Sequence, residues 1–237
     1  MKNELTKILD DFLNKNIFFS NEREFQFHLA KEIEKLSNVE KILFEVPSFD
    51  KEWSEIKNNL DLIKRKNKEY TDLVVKIRDS DKFIAIELKY KTATKAHVYN
   101  KTNFDVLTMA QGAYDIGAYS FIKDVFRLKN LIKGKRYCIN NLNIVKCYSI
   151  LLTNEIKYRT NNLTGGQQIW KDFSIAEQTR QITPNKYCVK SHSEKYSSYP
   201  ELDLTDLDHP IDLEWHPSKS AGGQLNRFDF NYLIVEI

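Results

Sequence analysis

Several kinds of architecture are excluded by what the chain has little of. Seven glycines and five prolines in 237 residues are too few for a collagen-like or Pro/Gly-rich disordered chain. Long apolar runs are missing, so no stretch is suited to spanning a bilayer. The N-terminal residues lack the apolar core and cleavage site of a signal peptide. These absences lead to the expectation of a cytoplasmic protein with no membrane association. Cys138, Cys147 and Cys188 are odd in number and fit no metal-ligand spacing. Cys147 opens an apolar strand-like run, which predicts a buried, inert thiol. There is no internal repeat and no low-complexity linker. No Ser, Cys or Thr has a recognisable base or elbow motif beside it. Gly112 and Gly117 have phosphate-loop separation, but Ala118 and Tyr119 stand where Lys and Ser/Thr are required.

An excess of one charge is also missing. The net charge of +3 is too small to argue for nucleic acid, although its distribution is uneven. Residues 121–190 hold thirteen Lys/Arg against four acids, and residues 191–237 hold three against nine. That asymmetry allows a basic face for a phosphate backbone. Solvated surfaces produce similar counts.

What is present centres on residues 70–91. Tyr70-Thr71-Asp72-Leu73-Val74-Val75-Lys76-Ile77-Arg78 and Lys82-Phe83-Ile84-Ala85-Ile86-Glu87-Leu88-Lys89-Tyr90-Lys91 flank the polar turn Asp79-Ser80-Asp81. The pattern predicts a β-hairpin. Antiparallel pairing would bring Asp72 beside Glu87, and period-2 alternation puts Glu87 and Lys89 on one face. Two hard oxygen ligands with an adjacent cation suit Mg²⁺ and phosphate chemistry, which is metal-assisted phosphodiester hydrolysis. A solvated strand end with a salt bridge would present the same residues. Glu-x-Lys also recurs at Glu55 and Glu155, but only the Glu87 copy has a hydrophobic strand under it and an acid-led strand before it.

Along the chain, Leu5, Ile8, Leu9, Phe12 and Leu13 give helical spacing over residues 4–15. Asn21 with Glu24 forms a capping box for a second helix, whose buried stripe is Phe25, Leu29, Ile33 and Leu36. Glu22 heads that stripe, with Gln26 one turn on. Residues 40–47 read as a strand stopped by Pro47. Residues 48–68 carry helical spacing at Trp53, Ile56, Leu60 and Ile63, and end in a basic run containing Lys64 and Arg65. With Lys91 and Lys95, these two are the candidate phosphate contacts. Residues 92–102 read as a polar loop. A long helix is expected over residues 103–131, with a break near Gly117, followed by a strand over residues 147–153. Gly165-Gly166 and Gly222-Gly223 suggest hairpin turns. Residues 182–189 suggest a strand interrupted by Pro184, and residues 228–237 a final strand. His209, Asp212, Glu214 and His216 form a second metal-like cluster, broken by Pro210 and Pro217.

The order of helix with Glu22, strand, acid-led strand, strand ending Glu87-Leu88-Lys89, long helix and strand resembles the PD-(D/E)XK nuclease superfamily, over about residues 20–154. Thr71 stands where that family often has proline. The resemblance implies an α/β fold with a restriction-endonuclease-like αβββαβ core, a mixed central sheet flanked by helices. Residues 155–237 would be a C-terminal β-rich elaboration within one domain. It implies Mg²⁺ or Mn²⁺ held by Asp72, Glu87 and the Leu88 carbonyl, with Lys89 assisting water attack. Glu22 would complete the site and Gln111 would lie beside it. DNA is the implied substrate, and a homodimer or partner protein stays open. The alternative is an inactive nucleic-acid-binding or scaffold subunit of a defence or repair complex.

Overall fold

A computed structural model of the chain describes residues 1–15, 17, 19–50, 69–93, 95–99, 104–108, 114–160, 174–187, 199–217 and 230–237. Two helices open it, α1 (Lys2–Asn14) and α2 (Glu22–Ile33). Strands β1 (Val39–Phe49), β2 (Glu69–Ile77) and β3 (Lys82–Lys91) follow, then a hairpin of β4 (Lys95–Tyr99) and β5 (Phe104–Thr108). Next come α3 (Tyr114–Ile132), β6 (Tyr137–Cys138) and β7 (Asn143–Thr153). Short strands β8 (Gln181–Ile182), β9 (Lys186–Tyr187), β10 (Leu202–Asp203) and β11 (Ile211–Asp212) precede β12 (Glu214–Pro217) and β13 (Asn231–Glu236).

Seven strands form one mixed sheet in the order β12-β13-β7-β3-β2-β1-β6. β3 and β7 run parallel, and the other neighbours are antiparallel. Parallel neighbours need a long crossover, and here it contains α3. The alternation of β2 and β3 sorts the two faces. Leu73, Val75, Ile84, Ile86 and Leu88 pack with Leu5, Leu9, Phe25, Leu29 and Ile33 of α1 and α2. Val74 and Ala85 face the other way, with Cys147, Leu128 and Leu131. Nearer the N-terminus of α3, Phe121, Ile122 and Val125 join Leu151, Leu233 and Trp215. The sheet is therefore covered on both faces, and the strand ends carry the polar residues.

Most expected elements are present, and the departures have local causes. Pro47 does not stop β1, which runs two residues past it. Beyond β1 the sheet is an edge, except where β6 meets Ser48 and Phe49, and an edge tolerates a residue without an N–H. The expected loop at residues 92–102 contains β4, and the expected start of the long helix is instead β5. Residues 104–108, which include β-branched and aromatic types, pair with residues 95–99 as a hairpin, and the helix starts at Tyr114. The anticipated strand at residues 182–189 is two separate strands, β8 and β9, which pair with β11 and β10. Residues 48–50 belong to the end of β1 and the bend after it, while 51–68, the two glycine pairs and Cys188 lie outside the described residues. Cys138 and Cys147 are free and buried, and burial pushes the Cys138 thiol up to about 12. No helix among the described residues is long and apolar enough to cross a membrane.

The basic and acidic halves of the chain meet each other. Lys129 and Lys135 pair with Asp206, and Lys133 pairs with Asp208. Three of the thirteen basic residues of 121–190 thus pair with acids of the following segment.

The helix α3 does not break at Gly117, because the missing side chain is what lets it pack. A Cβ there would lie 2.0 Å from the Tyr158 hydroxyl, and Tyr158 is itself buried. Gly117→Ala should therefore destabilise the fold by about 1–3 kcal/mol through overpacking, outweighing the roughly 1 kcal/mol alanine adds to a helix. Urea midpoints of the two proteins check this.

Candidate active site

The site begins where β2 and β3 part. Their register ends at Leu73 opposite Ile86, while β3 stays paired with β7 up to Lys91. Beyond Ile86 the β2-facing amides of β3 therefore need other acceptors. Asp72 Oδ2 accepts from the Leu88 N–H at 2.6 Å, and Glu22 Oε2 accepts from the Tyr90 N–H at 2.7 Å. Two carboxylates thus replace the missing strand. The departing Asp72 carbonyl accepts from Gln26 Nε2 at 2.8 Å, and the same Nε2 donates to Glu45 at 3.1 Å.

Glu22 reaches this point because α2 is fixed at its N-terminus. Asn21 caps the Glu24 amide at 2.9 Å, and the Glu24 carboxylate accepts from the Ser20 amide and hydroxyl, both at 2.6 Å. The expected reciprocal cap therefore forms, shifted outward by one residue. Phe25 and Phe19 pack beside Tyr90, whose hydroxyl donates to the Phe19 carbonyl at 2.5 Å.

On the other side of β3, Glu87 and Lys89 share a face and meet α3. Lys89 Nζ lies 2.8 Å from Asp124 Oδ2 and donates to the Leu88 carbonyl at 3.2 Å. Arg127 Nη2 lies 3.0 Å from Glu87 Oε1, and Arg127 Nη1 lies 3.3 Å from Asp124 Oδ1. Arg127 also donates to the Tyr70 carbonyl and approaches Glu69 at 3.1 Å. Glu69 carries Lys123 and Arg136 at 3.2 Å each, forming an outer rim.

Burial pushes the Asp72 carboxyl up to about 6, opposed by the Leu88 amide and Lys89 and reinforced by Asp124 and Glu22. Burial also raises Glu87 well above the usual carboxylate range, with Asp124 adding to the rise and Arg127 opposing it. For Lys89, burial alone would lower the pKa, but Asp124 and Glu22 outweigh it and hold the ammonium above its ordinary value. These acids favour the charged form of Lys89.

Of the expected residues, Asp72, Glu87, Leu88, Lys89 and Glu22 come together at one strand end. Lys91 closes β3, half-buried, and Lys95 opens β4. Gln111, Lys64 and Arg65 lie outside the described residues. Asp124 and Arg127 were not anticipated as site residues. Their three-residue spacing on a helix otherwise apolar on that side was the available signal. Of the His209, Asp212, Glu214 and His216 cluster, Glu214 and His216 meet, with His216 Nε2 3.2 Å from Glu214 Oε1, but the four do not gather as one metal-holding group. Asp212 accepts from Gln181, Glu214 pairs with Lys2, and His216 stacks on Tyr232.

Among the described residues, no three His, Cys, Asp or Glu side chains are grouped to hold a metal ion. A magnesium-type site needs fewer, since one or two carboxylates suffice beside water and phosphate oxygens. Two features fit a divalent cation. Among the described residues, Glu22, Asp72, Glu87 and Asp124 face Lys89 and Arg127, a formal excess of two negative charges. In addition, Glu87 Oε1 and Asp124 Oδ2 are buried without an aligned hydrogen bond, although each has a cation within ion-pair distance.

Compared with protein-family models, curated proteins and solved structures, the chain finds no match.

An acid whose native pKa exceeds its ordinary value, here about 6 against 3.8, takes up a proton on folding. Its ionisation thus opposes the native state above about pH 6, and the penalty disappears as the pH falls through about 4. Lowering the pH from about 7 to about 5 should accordingly stabilise the fold through Asp72. Asp72→Asn should raise stability near pH 7 by on the order of 1–2 kcal/mol and flatten the profile in that window. Thermal melts across pH check both.

Proposed function

We propose that the chain is a Mg²⁺- or Mn²⁺-dependent nuclease that hydrolyses phosphodiester bonds in DNA, on a restriction-endonuclease-like αβββαβ core. The observation that carries this is the gathering of Asp72, Glu87, Lys89 and Glu22 where β2 leaves β3. The connectivity supports it as well. An acid-bearing helix precedes three antiparallel strands, and a crossover containing α3 leads to β7, parallel to β3. Residues 155–237 add the short β ribbons and supply β12 and β13 to the same sheet.

The residues suited to the metal are Asp72, Glu87 and the Leu88 carbonyl. Bound there, it would supply Lewis acidity toward the scissile phosphate and a lower pKa for water. The chain's own groups do the rest. Lys89, fixed by Asp124 and the Leu88 carbonyl, offers a positive charge to orient water and offset the charge that builds on phosphorus oxygens. Glu22 fixes the strand end through the Tyr90 amide, and Gln26 fixes the Asp72 backbone. DNA is the substrate class the resemblance implies. Lys91, which closes β3, and Lys123 of α3, which pairs with Glu69 at the rim, are the cations proposed to serve its backbone.

A second reading is a catalytically inactive nucleic-acid-binding or scaffold subunit. The specific observation favouring it is that Glu87 is 2% exposed and already paired with Arg127.

Cleavage of linear, supercoiled, single-stranded and branched DNA with Mg²⁺ or Mn²⁺ separates the two. Under the nuclease reading, Asp72→Ala and Lys89→Ala should each lower cleavage by at least about 10²–10³-fold while circular dichroism stays native. A double variant that cuts at the wild-type rate would remove the assignment. A folded wild type that neither cuts nor binds Mn²⁺ leaves the inactive subunit.

A further inference from the structure

The pair made by Glu87 and Arg127 bears on how a metal could enter. The guanidinium lies 3.0 Å from Glu87 Oε1, and a divalent cation on that oxygen would sit at about 2.0–2.1 Å. Two positive groups cannot share one buried oxygen at those separations without strong repulsion. We infer that Arg127 is the resident counter-ion of Glu87, and that a divalent cation binds by displacing it toward Glu69. The inference rests on the metal site proposed above and concerns how that site is regulated.

Three observations carry it. First, Arg127 is held loosely at Glu87. Glu87 Oε1 makes no aligned hydrogen bond, although Arg127 Nη2 lies within ion-pair distance of it. Second, the arginine already has other acceptors. Glu69 lies 3.1 Å from Nε, Asp124 lies 3.3 Å from Nη1, and the Tyr70 carbonyl accepts from Nη2. Glu69 is 33% exposed against 2% for Glu87, so the receiving position is the wetter one. Third, there is room. A cavity of about 290 Å³ adjoins Arg127 and is lined by Glu69, Lys123, Phe126, Asn130 and Arg136.

The device has two forms. In one, Arg127 neutralises Glu87 and covers it. In the other, a divalent cation takes over Glu87, and the guanidinium turns to Glu69 and the cavity at the rim. Asp124 stays with Lys89 in both. Arg127 is thus a positioning residue that sets the metal concentration at which the site loads.

Mn²⁺ affinity measured by calorimetry on the full chain tests this through two variants with opposite expected signs. Arg127→Gln should bind Mn²⁺ at least about tenfold more tightly than wild type, and its melting temperature should rise more on adding Mn²⁺. Arg127→Lys, which keeps the charge, should stay near wild type. Glu69→Gln, which removes the receiving acceptor on a partly exposed side chain, should bind Mn²⁺ several-fold more weakly. If Arg127→Gln is folded and binds no more tightly than wild type, the inference is overturned. If Arg127→Gln does not fold, wild-type affinity in Glu69→Gln overturns it. Wild-type Mn²⁺ binding that Asp72→Asn abolishes would leave the nuclease reading standing in either case. Absence of Mn²⁺ binding from wild type and Arg127→Gln alike would remove both.

Discussion

A carboxylate as deeply buried as that of Glu87 needs a cation beside it, and here the cation comes from a different layer of the fold. The exchange is crossed. The sheet supplies Glu87 and Lys89, the helix α3 supplies Asp124 and Arg127, and each acid meets the other element's base. Removing one member of such a pair leaves a charge stranded in a poorly solvated place, which typically costs about 3–5 kcal/mol. The apolar contacts of Leu128 and Leu131 hold α3 against the sheet, but apolar contact is non-directional. The charge pairs add a registry along the helix axis, because a slide of one turn would break both at once.

The same region works against its own stability. Asp72 and Glu87 are held above their ordinary pKa values chiefly by burial, so the native state carries groups it would prefer protonated. Part of the cost is offset by the backbone, since the Asp72 and Glu22 carboxylates take the place of ladder acceptors that β2 no longer provides. A strand end opened in this way is a defect in purely structural terms. Such defects are tolerated at sites where something else is meant to bind.

How much of this could be read from the chain depended on whether the signal was local. The hairpin, with Asp72, Glu87 and Lys89 near its open end, was legible because period-2 alternation and a polar turn are written in consecutive residues, and Glu22 was placed by heading the apolar stripe of its helix. Asp124 and Arg127 were not, because their importance comes from what α3 lies across, and that depends on a crossover no short window contains. Residues 104–108 misled for a related reason. Val106 falls in phase with the apolar stripe of the helix that follows, while the pairing with residues 95–99 that makes it a strand is tertiary. The charge asymmetry between residues 121–190 and 191–237 was visible, but its meaning was not. Lys129, Lys133 and Lys135 find Asp206 and Asp208 within the same chain instead of an external polyanion.

The position of β13 carries a consequence for biosynthesis. It lies between β7 and β12, an interior slot of the sheet, yet it is formed by residues 231–236. During synthesis, β7 emerges, joins β3 and then keeps one edge bare until those residues leave the ribosome. An apolar, unpaired strand edge is a template for pairing with another chain. Until residues 231–236 pair with it, that edge of β7 is open to another chain, so a folding intermediate lacking β13 is the form in which aggregation is to be expected.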